Sequence, residues 1–150
     1  MTPATCTRCG FTDDYPAKRG DRIKNMRCHA CDRKGALARV GSVAAEEVTQ
    51  AFGIGRRVRF TRDNLSASKL GELHAVVTTK FGRGDEGVVA FRHPNFARLP
   101  NWFYVQVVQT APAPASADWH FNYSRGFHRV LYVGVTESMV ETVAAAEQRA

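Results

Sequence analysis

Four cysteines lie in two pairs within the first 31 residues of the chain. Two residues separate Cys6 from Cys9, two separate Cys28 from Cys31, and 18 lie between the pairs. Two intervening residues allow a tight knuckle that directs both sulfurs at one ion, and two knuckles supply a tetrahedron of thiolates. Such a set leaves no position for a substrate water. The spacing therefore predicts one structural zinc ion held by these four cysteines.

Other roles for these residues are less favoured. Redox C-x-x-C pairs usually occur singly beside a βαβ pattern. His29 could replace one thiolate, but with four cysteines present we expect it to be an exposed knuckle residue. Disulfides would require a secreted context. The N-terminus lacks the basic and apolar stretches of a secretory signal, and no run of 18 apolar residues is present, so we expect a cytoplasmic protein without a membrane span.

The segment between the knuckles is basic and has few apolar residues. Its folding should therefore be coupled to metal binding. A turn at Arg19-Gly20-Asp21 would give a hairpin with a basic loop. We predict phosphate contact here, with a merely solvated hairpin as the alternative. The predicted contact residues are Lys18, Arg19, Arg22, Lys24, Arg27, Arg33 and Lys34.

Residues 6–35 resemble a zinc-binding unit, of the zinc-ribbon or treble-clef kind, that is common in phage and actinobacterial proteins. The shared features are Cys6-x-x-Cys9-Gly10, an intervening aromatic residue, basic residues, and the run from Arg27 to Arg33. Some relatives of phage recombination endonucleases carry this unit. Their nuclease core requires a downstream His and Asn cluster that this chain does not show, so the resemblance implies metal binding and not cleavage.

A short helix and several strands are predicted after the zinc unit. Ser42 can cap a helix over residues 43–52 that Gly53 ends, with Ala44, Val48, Ala51 and Phe52 on its apolar face. Alternation then predicts strands at residues 57–61, 73–80, 88–92 and 102–108, with a polar loop at 62–72. A glycine-rich turn over residues 82–87 makes 88–92 the return strand after 73–80. Short strands with glycine turns favour a compact barrel.

Residues 53–110 resemble a small barrel of the Tudor/KOW type. The likeness rests on Gly55-x-x-Val58-x-Phe60 and on the run Gly-Asp-Glu-Gly-Val-Val at 84–89. Domains of that shape bind RNA, DNA or protein peptides, so the resemblance does not choose among these ligands.

A second basic stretch lies in the first strand of this barrel. Its members, also predicted to contact phosphate, are Arg56, Arg57, Arg59 and Arg62. With Arg83, Arg92 and Arg98 they could form a patch flanked by Phe81, Phe96 and Trp102, which would suit single-stranded nucleic acid. The alternative is that the aromatic residues fill the core. Within residues 102–104 we expect Phe103 to point inward.

The C-terminal part should complete the same β core. Residues 111–117 predict a linker, residues 119–123 and 127–135 predict strands, and a capping box at Ser138 predicts a helix over 137–149. The expected fold class is α+β. We expect a zinc-binding unit at residues 1–41 and a β-rich domain at 42–150, comprising the linking helix, barrel-like strands over 55–135 and the final helix.

The charge distribution favours a polyanionic partner. The net charge is +7, and residues 1–41 alone carry nine basic and four acidic residues. No phosphate-binding loop, nucleophile elbow or H-E-x-x-H motif is present, so we predict no enzyme and no small-molecule substrate. A nuclease using His93 and Asn95 is the minority alternative. The leading hypothesis is a small, regulatory, zinc-containing protein that binds DNA or RNA. The alternative is a protein-interaction module that docks on a larger machine such as a polymerase, ribosome or nuclease. Such a module could be encoded by a phage or by its host.

Overall fold

The chain folds mainly into short antiparallel strands, as its alternating apolar residues predict. A computed structural model describes residues 1–18, 22–111, 119–123 and 126–143. The strands are β1 Thr2–Cys6, β2 Thr12–Tyr15, β3 Leu37–Arg39, β4 Arg57–Phe60, β5 Leu65–Ser68, β6 Val76–Phe81, β7 Glu86–Arg92, β8 Phe103–Ala111, β9 His120–Asn122, β10 Gly126–Val135 and β11 Val140–Thr142. The α-helix α1 is Val43–Ala51, and 3-10 turns lie at Ile23–Asn25 and Glu137–Met139.

The first three strands form a small sheet in the order β2-β1-β3. Strand β1 pairs antiparallel with both neighbours, so that Cys6 lies opposite Leu37 at the end of the β1–β3 ladder. A single bridge between Arg27 and Lys34 closes the loop that carries the second pair of cysteines. Both cysteine pairs are therefore held by backbone pairing around the same sheet.

The other strands form one larger antiparallel sheet in the order β11-β4-β7-β8-β10-β5-β6, with β9 added beside β10. The longest ladder joins β8 to β10, where Phe103 to Ala111 face Val135 to Phe127. The sheet curls strongly. Strands β4 and β6 are not neighbours in the order, yet the rings of Phe60 on β4 and Phe81 on β6 lie 6.4 Å apart. Among the described strands β6 and β11 stand at the two ends of the order, and pairing between them is not seen.

The two faces of this sheet serve different purposes. Alternate residues point to opposite faces of a strand. On β10, Leu131 and Val133 enter a core enclosed by the curl of the sheet, whereas Tyr132 points to the opposite face. On β8, Val105 and Tyr104 divide in the same way. The outer face thus carries large rings that need a cover.

The N-terminal unit of residues 1–41, the predicted zinc-binding unit, supplies that cover. The ring of Phe11 lies 5.3 Å from that of Phe91 on β7 and 6.2 Å from that of Tyr132 on β10. The backbone N–H of Arg92 also donates to the carbonyl of Cys9 at 2.8 Å. The first knuckle is therefore fixed to the end of β7 by both apolar packing and a backbone hydrogen bond.

Helix α1 begins and ends at the predicted signals. The Ser42 side chain accepts a hydrogen bond from the backbone N–H of Ala45, and Gly53 follows the helix with a φ of +64°. The predicted apolar face is only partly right. Val48 and Ala45 are buried, whereas Ala44 and Ala51 are exposed. The buried face of the helix is therefore rotated by about one residue from the predicted face.

Two predictions about the strands are wrong. The predicted polar loop at 62–72 contains β5. Its small residues Ala67 and Ser68 are buried, and they pair with Val133 and Tyr132 of the neighbouring strand β10. Strand β7 does not return beside β6 as a hairpin. Instead β6 pairs with β5, and β7 lies between β4 and β8.

The predicted C-terminal helix is also wrong where the structure describes it. Residues 137–139 form a 3-10 turn, and Val140–Thr142 form strand β11 beside β4. Ser138 does not cap a helix, since its hydroxyl is hydrogen-bonded to that of Thr136 at 2.9 Å. Burial of Val140 against the sheet outweighs the weak capping signal. Residues 144–149 of that prediction, the turn at 19–21 and most of the predicted linker lie outside the described residues.

The predicted fold class therefore holds in its coarser form. The described chain is mostly antiparallel strand with one α-helix and a cluster of four cysteines. In its described part, no helix is long and apolar enough to cross a membrane.

Candidate metal centre and basic junction face

The two knuckles are built in the same way. The N–H of Gly10 donates to the carbonyl of Cys6 at 2.8 Å, and the N–H of Asp32 donates to that of Cys28 at 2.9 Å. Each turn ends in the left-handed region, with φ of +88° at Gly10 and +61° at Asp32. Glycine adopts that region without strain, and aspartate is among the residues that tolerate it. Each turn places its two sulfurs on the same side.

The four thiols lie close enough to hold one metal ion. The sulfurs of Cys6 and Cys31 are 3.7 Å apart, those of Cys9 and Cys28 are 3.6 Å apart, and all four lie within 4.8 Å of one another. A tetrahedron with metal–sulfur bonds of about 2.3 Å has sulfurs about 3.8 Å apart. All four cysteines are free thiols, three of them buried. The donor set and its geometry thus fit a closed tetrathiolate site.

Hydrogen bonds support the sulfurs as ligands. The backbone N–H groups of Arg8 and Ala30 donate to the sulfurs of Cys6 and Cys28, each at 3.4 Å. Such donors stabilise the negative charge of a thiolate.

The thiols also shift one another's ionisation. Hydrogen bonding with Cys31 lowers the pKa of Cys28, whereas hydrogen bonding with Cys28 raises the pKa values of Cys9 and Cys31. The hydrogen bond with Cys28 raises the pKa of Cys6, but those with Cys31 and Cys9 outweigh it and lower that pKa to about 7. The lowered pKa values of Cys28 and Cys6 favour the thiolate, the form that binds metal.

His29 is an exposed knuckle residue, as predicted, and stands outside the group of possible metal ligands. Its Nδ1 lies 2.7 Å from a carboxylate oxygen of Asp13, and its ring lies 4.2 Å from that of Tyr15. The Tyr15 hydroxyl accepts the backbone N–H of His29 at 3.2 Å. The side chain thus ties the second knuckle to β2.

Gly10→Ala should destabilise the metal-loaded protein. A side chain at that left-handed position costs about 1–2 kcal/mol, and the added carbon would lie 3.0 Å from two side-chain atoms of Ile54 and 3.1 Å from the Phe52 ring. Gly35→Ala is the matched control, because Gly35 has a φ of +89° and no atom within 4 Å of the added carbon. Denaturant unfolding should show a larger loss for Gly10→Ala. Equal losses would show that packing against Ile54 adds nothing.

The predicted contact residues of β4 are largely paired with carboxylates. Their charges are compensated locally, which makes them weaker candidates for phosphate contact. Arg62 is exposed and has no ion pair within the described residues. The ion pairs are Arg56 with Glu137 at 2.6 Å, Arg57 with Glu86 at 3.4 Å, and Arg59 with Glu141 at 3.3 Å and Glu86 at 3.9 Å.

The predicted contact residues of the zinc-binding unit lie mostly at its surface. Arg27 is oriented by a hydrogen bond from Nη1 to the carbonyl of Asp32 at 3.0 Å. Arg19 lies outside the described residues. The exposed members are Lys18, Arg22, Lys24, Arg27, Arg33 and Lys34.

The aromatic residues predicted to flank the patch separate into different environments. Phe81 is buried in the core enclosed by the sheet, while Phe96 and Trp102 are half-buried near the end of β7. Phe103 packs on the inner core as predicted, although it is only partly buried, and Tyr104 is buried on the opposite face.

Where the N-terminal unit meets the sheet, Arg33 of the first predicted basic group comes together with Arg92 and Phe96 of the second. The guanidinium carbons of Arg92 and Arg33 lie 3.6 Å and 4.8 Å from the ring centroid of Phe96. Nε of Arg92 donates to the carbonyl of Arg8 at 2.5 Å. We call Arg8, Arg33, Arg92 and Phe96 the junction face. Arg8 was missed because nothing in its local sequence signals a neighbour on β7.

The junction face carries concentrated positive charge. Burial lowers the pKa of Arg92, the nearby thiols of Cys9 and Cys6 raise it, and the guanidiniums of Arg8 and Arg33 lower it further. Within the described residues, Arg8, Arg33 and Arg92 form no ion pair with a carboxylate. Like charges held this close favour an anion that can sit among them.

Part of this charge faces the metal site itself. A divalent ion with four thiolates carries a net charge of −2, which neighbouring guanidiniums stabilise. Arg8 and Arg33 each adjoin a knuckle, and Arg92 contacts the first knuckle through its backbone. The junction face can therefore stabilise the metal site and bind an external anion at once.

His93 and Asn95, the residues of the nuclease alternative, form a turn. Nδ1 of His93 accepts the backbone N–H of Asn95 at 2.9 Å, and its ring stacks on Tyr104 at 5.5 Å. Burial lowers the pKa of His93. The imidazole therefore serves the turn through one of its two nitrogens.

The zinc-ribbon and Tudor/KOW resemblances gain no independent support from known proteins. What the structure does support is a cluster of four cysteines able to hold a metal, within a mostly antiparallel fold. No family model matches the chain, and neither a curated protein nor a solved structure is significantly similar to it.

Proposed function

We propose that this protein holds one structural zinc ion and binds nucleic acid through the junction face. Four thiolates in a closed tetrahedral set are the donors typical of structural zinc. Three of these sulfurs are buried, and the shared apolar cluster around Phe11 joins their unit to the sheet. The ion would thus maintain the geometry of the junction face rather than act on a substrate.

The observation that carries the proposal is the contact of two guanidiniums, those of Arg33 and Arg92, with the ring of Phe96. Arg33 comes from the zinc-binding unit and Arg92 from the end of β7, so folding alone brings them together. Guanidiniums form bidentate contacts with phosphate oxygens, and a ring that both guanidiniums contact keeps them close together. The pair therefore suits a chain of phosphates.

The alternative is that the same basic surface docks on an acidic protein. Arginine and aromatic residues are also frequent at the centres of protein interfaces. Nothing about the junction face restricts it to nucleic acid, but its compact group of arginines, none of them paired with a carboxylate in the described part of the chain, favours a polymer of dense, regular negative charge. Binding by the purified protein alone distinguishes the two.

Replacing Arg33 and Arg92 together by Gln should weaken nucleic-acid binding and flatten its dependence on salt. Each phosphate contact contributes about 0.7 to 0.9 to the slope of log affinity against log salt, so two lost contacts should reduce the slope by about 1.5. Fluorescence anisotropy with labelled single- and double-stranded DNA and RNA, from low to moderate salt, would measure this slope. Zinc content must be measured in parallel, because both arginines lie near the metal site.

The matched control is the double variant Arg57→Gln and Arg59→Gln. It removes the same charge, but from arginines that are paired with Glu86 and Glu141. We expect it to retain most of the affinity. Equal weakening by both variants would point to a diffuse effect of net charge. Absence of any binding by the zinc-loaded protein at low salt would overturn the proposal and favour protein docking.

A further inference from the structure

An open cleft of about 530 Å³ lies beside the junction face. One wall is formed by the end of α1 with Phe52, and another by Trp102 and the residues before it. The 3-10 turn that precedes β11 closes the third side through Thr136 and Ser138. The volume falls within the range of sites that take small organic groups.

The cleft is continuous with the junction face through Arg92. Its guanidinium carbon lies 4.5 Å from the centroid of Phe52 inside the cleft and 3.6 Å from that of Phe96 outside it. A phosphate in contact with the guanidiniums of Arg92 and Arg33 would therefore lie beside the opening of the cleft.

The lining of the cleft matches the chemistry of a nucleobase. Trp102 lines the cleft and is half-buried, and within the described residues its indole makes no contact with another aromatic ring or with a guanidinium. Asn101 and the hydroxyls of Thr136 and Ser138 can donate to and accept from polar base edges. Glu137 is paired with Arg56 at 2.6 Å and so does not oppose an anionic ligand strongly.

We propose that this cleft takes one unstacked base of a single-stranded nucleic acid whose backbone runs along the junction face. The inference rests on the proposed function and adds to it the class of nucleic acid recognised. A base inside a duplex stays stacked and paired, whereas bases of a single strand can turn outward onto an aromatic side chain. Single strands should therefore bind more tightly than duplexes of equal length.

The first test compares three probes of about 10 nucleotides, a length within the usual site sizes of single-strand binders. These are oligodeoxythymidine, a strand of the same length made of abasic deoxyribose phosphates, and a duplex. The abasic strand keeps the charges and removes the bases. Trp102→Ala should weaken binding of oligodeoxythymidine by about 5- to 150-fold and leave binding of the abasic strand and the duplex unchanged. Trp102→Phe keeps an aromatic face and should restore most of the loss.

A second measurement follows the indole directly. The chain has two tryptophans, so Trp119→Phe leaves Trp102 as the only indole emitter. Oligodeoxythymidine should quench its fluorescence in parallel with binding, and the abasic strand should not. Thymidine monophosphate should quench only at much higher concentration, since it lacks the extended backbone. Equal affinity for the nucleotide and the oligonucleotide would overturn the single-strand assignment.

The possible results distinguish a failure of the cleft inference from a failure of the proposed function. If oligodeoxythymidine binds in a salt-sensitive manner that needs Arg33 and Arg92, but Trp102→Ala has no effect, the cleft inference is wrong and the junction face stands. Equal weakening of all three probes by Trp102→Ala also overturns it, because the residue then acts through the fold. If none of the probes binds at low salt, the proposed function fails together with the inference.

Discussion

Chelation of the metal, or replacement of Cys28 by Ser, should unfold the N-terminal unit and strongly destabilise the sheet that it covers. Structural zinc contributes an apparent 10–16 kcal/mol in small peptides near neutral pH, as much as the whole folding free energy of a typical domain. Apart from the metal, few interactions can keep the N-terminal unit folded. Beyond the cysteines, its largest buried side chains are Phe11, Tyr15, Ile23 and Leu37.

The loss should spread to the sheet because the cores are shared. Phe11 packs on Phe91 and Tyr132, so release of the unit exposes rings on the outer face of β7 and β10. Native mass spectrometry should show one zinc ion per chain before chelation and none afterwards. Thermal unfolding followed by circular dichroism should show a large drop in Tm, recovered when zinc is added back.

The control for this experiment is His29→Ala. That change removes the hydrogen bond to Asp13 and leaves four thiolates, so zinc stoichiometry should stay at one with only a small loss of stability. A Cys28→Ser protein that kept both its zinc and its Tm would contradict the tetrathiolate assignment. If His29→Ala lost zinc as readily as Cys28→Ser, the ligand set would have to include the imidazole.

The features that the sequence predicted well are those set by local geometry. The spacing of the cysteines dictates the knuckles, and the structure brings all four thiols together. Ser42 and Gly53 bound helix α1 because capping depends on neighbours in the chain. Strands β4 and β10 were predicted from strong alternation or a continuous apolar run, and both occur close to the predicted bounds.

The features that the sequence did not predict depend on pairing between distant segments. Strand β5 contains small residues with little strand preference, and it forms because β10 lies beside it. Strand β11 replaces a predicted helix because β4 offers a free edge and the core accepts Val140. In both cases tertiary contacts override a weak local preference.

The candidate site shows the same division between local and distant signals. The arginines of β4 look like a phosphate-binding run in the sequence, but Glu86 and Glu141 arrive on other strands and pair with them. The junction face needs Arg8, Arg33 and Arg92, which lie far apart in the sequence. Their proximity follows from the packing of the zinc-binding unit on β7, which no local pattern specifies.

Phe91→Ala should be the most damaging single substitution away from the cysteines. Phe91 is fully buried, and its ring lies 5.3 Å from Phe11, 5.0 Å from Tyr104 and 5.5 Å from Tyr132. Truncation of a buried phenylalanine costs about 3–5 kcal/mol, which corresponds to a fall in Tm of about 6–20 °C for a chain of this size. Denaturant and thermal unfolding of the zinc-loaded variant would measure the loss.

Phe121→Ala is the matched control, because it deletes the same atoms from a side chain that is 56% exposed. We expect it to cost less than about 1 kcal/mol. Zinc content then decides what the Phe91 contact does. If Phe91→Ala keeps its zinc but weakens nucleic-acid binding beyond its loss of stability, the contact orients Arg33 of the zinc-binding unit against Arg92 of the sheet. If stability falls no more than in the control, the unit is held in place by Cys9 and the backbone of Arg92 instead, and the ring cluster does not couple the two cores.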